Sequence, residues 1–98
     1  MTKRDLVVRI ATETGLNQRD VTEVVQKTLD HVINELGADR GVELRNFGVF
    51  TLKKRKERIG RNPNEPANTV QIPERTVVKF KPGKIMREKV SRLDEISN

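Results

Sequence analysis

The 98-residue sequence contains no cysteine, tryptophan or tyrosine, only three phenylalanines and a single histidine. Without a thiol it can hold neither a disulfide framework nor a thiolate metal site. His31 sits between Asp30 and Val32 in a helical pattern, with no second histidine or cysteine to complete a ligand set or a catalytic dyad, and is read as structural. Ser91 and Ser97 have no plausible base near them in sequence, and the carboxylates scatter over polar helix faces, so no nucleophile constellation emerges. An enzyme, a metal, a cofactor and a small-molecule substrate are therefore not expected. No apolar run approaches the roughly 18 residues of a membrane span, and the Met1-Thr2-Lys3-Arg4-Asp5 start does not resemble a signal peptide. The expectation is a cytoplasmic protein with no membrane partner.

What is abundant is charge, and it is unevenly placed. Residues 1–52 carry seven Lys/Arg against eight Asp/Glu, whereas residues 53–98 carry thirteen against six, so a neutral half precedes a half of net charge +7. Such asymmetry points to a polyanion, nucleic acid before anionic membrane. With 34% hydrophobic and 35% charged residues, the length suits one domain spanning 1–98. A chain this small leaves apolar surface wet, and a second subunit is the natural source of the missing core.

The periodicities give an α+β order. Thr2 and Asp5 form a helix-start signal, Leu6, Val7, Ile10 and Ala11 follow at helical spacing, and Gly15 is a stop. Asn17 and Asp20 repeat the start; Val21, Val24, Val25, Leu29, Val32, Ile33 and Leu36 then make one broad apolar stripe that Gly37 closes. A helical hairpin results. After Gly41 the pattern becomes extended: Val42 and Leu44 alternate with charges, Asn46 and Gly48 flank Phe47 as in a turn or bulge, and Val49 to Leu52 continue a strand. Val70, Ile72 and Thr76 to Lys81 restore strand character beyond a polar stretch, and Ile85, Met86, Val90 and Leu93 mark a short basic closing helix. The three phenylalanines, among aliphatic neighbours, are read as core rather than as base-stacking platforms.

Between Lys53 and Arg61 lie six cations and one anion, enough to neutralise several phosphates. Almost nothing from Lys53 to Pro66 can enter a core. Gly60, Pro63 and Pro66 exclude a continuous helix, and the Asn/Pro/Glu cluster is turn chemistry, so the segment from about 53 to 76 is read as a hairpin arm whose tip leaves the body.

Gly60-Arg61-Asn62-Pro63 resembles the arm-tip signature of the bacterial HU/IHF family of DNA-bending proteins. Asn46-Phe47-Gly48-Val49-Phe50 is similar to that family's Gly-Phe-Gly-x-Phe strand turn, and Phe80-Lys81-Pro82-Gly83-Lys84 to the approach to its last helix. The motifs occur in the family's order and cover nearly the whole chain. Asn46 stands where a glycine is common, and Asn64-Glu65-Pro66-Ala67-Asn68 replaces a Thr-Gly turn, which implies a longer, stiffer tip; Val77-Val78-Lys79-Phe80 and Pro82 look more like the IHF subunits.

The resemblance implies an intertwined dimer with a helical base, its Phe47, Phe50 and Phe80 covered by the partner subunit. Paired β-ribbon arms would wrap the minor groove of double-stranded DNA. Arg55, Arg58 and Arg61 would meet backbone and groove, and Pro63 would wedge between base pairs. The candidate DNA-contacting set is Lys3, Lys53, Lys54, Arg55, Lys56, Arg58, Arg61, Asn62, Pro63, Arg75, Lys79, Lys81, Lys84 and Arg87. The function expected is an architectural, largely sequence-tolerant DNA-bending protein of the bacterial nucleoid, most simply a homodimer. A site-selective IHF-like subunit, pairing with a paralogue, is the alternative. A basic RNA-binding structural protein is the competitor from another class; a single-strand reader usually exposes stacking aromatics, which this chain lacks.

Overall fold

The computed structural model describes residues 1–62 and 65–96 and, with side chains, 1–57, 59–60, 69 and 71–95. It contains two compact units, Met1–Ala38 and Asp39–Asn98.

The first unit is a pair of helices, each started by the side chains that the sequence singles out. In α1 (Lys3–Thr14) the Asp5 amide donates to Thr2 Oγ1 at 3.2 Å and the Thr2 amide donates to Asp5 Oδ2 at 3.0 Å, a reciprocal cap for two amides that have no partner inside the helix. Gly15, at φ 75°, ends it and donates its N–H to the Ala11 carbonyl. In α2 (Gln18–Gly37) Asn17 Oδ1 accepts from the Asp20 amide at 2.8 Å. The helix ends at Gly37, where the sequence places its close; Ala38 caps it, and the left-handed φ of 63° falls on Asp39. Aspartate tolerates that region better than most residues, so no glycine is required there.

Burial in this unit is sparse. Val7, Ala11 and Val21 are the buried hydrophobic residues among those described, with Ile10 and Val25 packed against them. Val24 and Ile33, both on the apolar stripe of α2, are each 65% exposed. In one copy of the chain only Val21 of that stripe is buried, and Val24, Leu29 and Ile33 are exposed.

The second unit opens with β1 (Val42–Leu44) and β2 (Gly48–Arg55), joined by a tight turn in which Asn46 adopts φ 67° and the Phe47 amide donates to the Leu44 carbonyl. Asparagine is among the few side chains that fit this left-handed position, where the resemblance makes glycine common. β2 pairs antiparallel with both β1 and β5 (Arg75–Pro82), giving a three-stranded sheet in the order β1-β2-β5. β3 (Arg58–Asn62) and β4 (Glu65–Ile72) form a separate two-stranded ribbon. The unit ends in α3 (Lys84–Ile96).

The hairpin expected over 53–76 is therefore present but interrupted. The last rung of the sheet is Arg55 opposite Arg75, the first of the ribbon is Arg58 opposite Ile72, and Lys56-Glu57 and Pro73-Glu74 separate them. Pro73 has no N–H to donate to a ladder, which accounts for a break at that place. Toward the tip, Gly60, Arg61 and Asn62 belong to a strand rather than to the turn expected, as do Glu65 to Asn68. The register shifts from Arg61 opposite Thr69 to Asn62 opposite Glu65, so an irregularity absorbs Pro66, Ala67 and Asn68, where a missing donor costs no rung.

Candidate nucleic-acid interface

Side chains alternate between the two faces of a strand, and residues directly opposite in an antiparallel pair share a face. Applied to β2 and β5, this sorts the cations. Val49 faces Lys81, Thr51 faces Lys79, Lys53 faces Val77 and Arg55 faces Arg75; between them Phe50 faces Phe80, Leu52 faces Val78 and Lys54 faces Thr76. One surface of the sheet thus presents Lys53, Arg55, Arg75, Lys79 and Lys81, all exposed. The other presents Phe50, Leu52, Val78 and Phe80.

The aromatic contacts confirm the apolar assignment. The Phe50 and Phe80 rings lie 4.8 Å apart between centroids, and Phe47 meets Phe80 edge-on at 5.8 Å. These rings do not form a closed core in one chain: Phe47 is 50% and Phe80 38% exposed. The three rings meet one another, but in one chain two of the three phenylalanines expected in the core stay exposed.

Lys54 stands apart from the neighbouring cations. It leaves the sheet on the apolar side, where its Nζ lies 3.3 Å from the Glu74 carboxylate, both side chains being more than half exposed. Lys56 follows the end of β2 and, with Lys53, Lys54, Arg55, Arg75, Ile72 and Pro73, lines an open concavity of about 380 Å³. Arg58, Arg61 and Asn62 occupy β3, opposite Ile72, Thr69 and Glu65. Pro63, the expected wedge, lies outside the described residues.

Lys84 and Arg87 are exposed in the first turn of α3, whose start is fixed by close backbone approach. The Gly83 amide donates to the Phe47 carbonyl at 2.8 Å, and a Cβ at position 83 would sit 2.7 Å from the Asn46 carbonyl carbon. Only glycine lets the chain pass there without displacing the Asn46 turn. Lys3, in the first unit, donates to Gln26 Oε1, and Gln26 in turn donates to Asp30 at 2.8 Å. Its ammonium is oriented by α2 while the side chain remains exposed.

Two participants do not stand out in the sequence. Thr51 shares the cationic face, and Glu74 holds Lys54. Both follow from strand register, and the run Lys53-Lys54-Arg55-Lys56 gives no local clue to which of its members share a face. Among the described residues no cluster of three or more His, Cys, Asp or Glu is placed to hold a metal, and no helix is long and apolar enough to cross a membrane.

The family model of the bacterial DNA-binding proteins matches residues 1–91 of this chain. The chain belongs to the bacterial DNA-binding protein family. It is 38% identical over 92 residues to integration host factor subunit beta of Vibrio cholerae, an alignment covering 93% of this chain and 99% of that protein. Its fold superimposes on HU from Anabaena, solved as a cocrystal with DNA, with a TM-score of 0.83 and 33% identity over 92% of this chain and 97% of that one. An HU mutant from Thermotoga maritima gives a TM-score of 0.68 at 28% identity, again covering 92% of this chain and 99% of the other. The architecture is the α+β HU-like fold, and the family is one of architectural, histone-like DNA-binding proteins.

Proposed function

We propose that this chain works as one module in a dimer that binds double-stranded DNA along the cationic face of its sheet, carries the duplex between its ribbon arms, and bends it with little sequence preference, as an HU-like protein of the bacterial nucleoid. The observation that carries this reading is the two-faced sheet. Five exposed cations project from one side, where they can neutralise successive phosphates, while Val78 and Phe80 on the other side remain exposed apolar surface for another subunit. Phosphate contacts position a protein without reading bases, which supports sequence tolerance. A second copy of the chain is the simplest partner. The likeness to a protein named as a beta subunit supports a second reading, in which the partner is a paralogue.

The face assignment makes neighbouring lysines inequivalent. Lys53→Gln should lower the slope of log K against log salt by about 0.9 for each phosphate that the side chain no longer neutralises, equally on unrelated duplexes. Lys54→Gln should leave that slope nearly unchanged, because its ammonium lies on the other face beside Glu74. Fluorescence titration of two duplexes of unrelated sequence across a salt series measures both. Equal reductions from the two variants would remove the face assignment, and reductions confined to one duplex would mean base reading.

Pro63 is proposed as the wedge, on the likeness of Gly60-Arg61-Asn62-Pro63 to the family's arm tip. A rigid apolar ring without an N–H suits insertion at a base step, where unstacking costs a few kcal/mol and bending brings more duplex onto the protein. Pro63→Ala should reduce bending of an intact duplex, read by end-to-end energy transfer, more than it reduces affinity for a nicked one. Unchanged bending with intact binding would leave Pro63 a turn residue.

A further inference from the structure

With no cysteine, tryptophan or tyrosine in the chain, its readiest sites for a two-electron oxidant are the thioethers of Met1 and Met86. They stand in opposite settings. Met1 is 80% exposed at the start of the chain. Met86 is the one residue of α3, among those whose side chains are described, that is not exposed. It lines two concavities, one of about 540 Å³ shared with Phe80, Pro82 and Leu93, and one of about 440 Å³ shared with Asn46, Phe47 and Ile85. Met86 therefore belongs to the apolar surroundings of both Phe47 and Phe80, the two rings that one chain leaves exposed. An unbranched thioether adapts to such an irregular apolar surface, whereas its sulfoxide is polar and chiral.

We propose that Met86 is an oxidation site through which a hydroperoxide weakens the pairing of two chains. A sulfur lone pair attacks one oxygen of hydrogen peroxide, the O–O bond breaks and an S–O bond forms. The proton of the attacked oxygen passes to the leaving hydroxide, which departs as water, so the thioether is oxidised by two electrons and the peroxide reduced by two. The product places an S=O dipole on the surface that a second chain covers, once in each subunit, where a polar group without a hydrogen-bond donor opposes burial. Pairing in turn shields the thioether, so oxidation runs through the separated chain and quickens on dilution. A sulfoxide reductase reverses the change. The effect on pairing rests on the dimer reading above, while the site of oxidation does not.

The test treats the full-length wild type and Met86→Leu with hydrogen peroxide, above and below the concentration at which the chains separate. Peptide mass spectrometry follows oxygen gain at Met86, and sedimentation equilibrium measures the dimer dissociation constant before and after treatment. Leucine conserves volume and apolarity, so the variant should pair like the wild type and report what peroxide does elsewhere in the chain. The oxidised wild type should show a dissociation constant raised at least about tenfold, restored by a methionine sulfoxide reductase, and that rescue keeps the test decisive without the variant. Oxygen gain at Met86 should be faster in the dilute sample. The proposal is overturned if Met86 stays unoxidised in separated chains, if its rate is the same in paired and separated chains, or if Met86→Leu loses pairing to the same extent. It is equally overturned if the sulfoxide leaves the dissociation constant within about twofold of its starting value. A wild type that sedimented as a folded monomer before treatment would defeat the dimer reading instead, and the peptide masses would still decide the site of oxidation.

Discussion

The triple variant Lys53→Glu, Lys79→Glu, Lys81→Glu is expected to bind duplex at least about a thousandfold more weakly at moderate salt. The three lysines share one face of the β2–β5 pair and are exposed, so a dimer forfeits six cations that could neutralise phosphates and gains six repulsions. Six phosphates at about 0.9 each correspond to a fall of roughly five in the salt slope. The variant should still fold, because none of the three side chains packs in the apolar cluster. Far-ultraviolet circular dichroism checks the fold, and fluorescence anisotropy over a salt series checks the affinity. A folded triple variant that bound within about tenfold of the wild type would mean that the sheet face does not meet the duplex.

The second large effect concerns the dimer. Three buried hydrophobic residues among those described cannot anchor a chain of this length, and Val24, Ile33, Val78 and Leu93 are each more than half exposed. The apolar side of the sheet and the stripe of α2 are the surfaces on which a second chain gains most. Unfolding should therefore depend on protein concentration. A tenfold dilution is worth about 1.4 kcal/mol, which lowers the midpoint of a dimer of this size by about 3–5 °C. Phe50→Asp should abolish folding at micromolar concentration, because it introduces a carboxylate beside Phe80 in each subunit, and burying an unpaired charge costs far more than the cluster gains. Sedimentation equilibrium together with calorimetry at two concentrations reads both. A folded monomer at micromolar concentration would end the dimer reading.

How much of this was legible in the sequence depended on the range of the interaction. Thr2 with Asp5 and Asn17 with Asp20 act within one helical turn, and the caps they signal are present. The alternation Val78-Lys79-Phe80-Lys81 likewise specifies a strand with two unlike faces, and β5 has them. The motif around Phe47 marks its turn correctly, since Asn46 and its positive φ depend on a few neighbouring atoms. What was hidden is set by register between distant segments. Lys53, Lys54, Arg55 and Lys56 are contiguous, so a charge count treats them alike; pairing with residues 75–77 gives Lys53 and Arg55 one face and Lys54 the other. The break at Lys56-Glu57 needs Pro73 to fall opposite it. Gly37 marks the end of α2 correctly, but the left-handed conformation that a stop glycine usually supplies falls on Asp39.

The absence of native cysteine makes the two-faced sheet directly testable, since single cysteines can be placed at will. Thr51 lies on the cationic face and Val78 on the apolar one. Each of Thr51→Cys and Val78→Cys is to be labelled with the same short photo-crosslinker and irradiated with a radiolabelled duplex of random sequence. The label at position 51 should capture DNA, and the label at position 78 should capture another polypeptide chain. Capture of DNA from position 78 with none from position 51 would contradict the account.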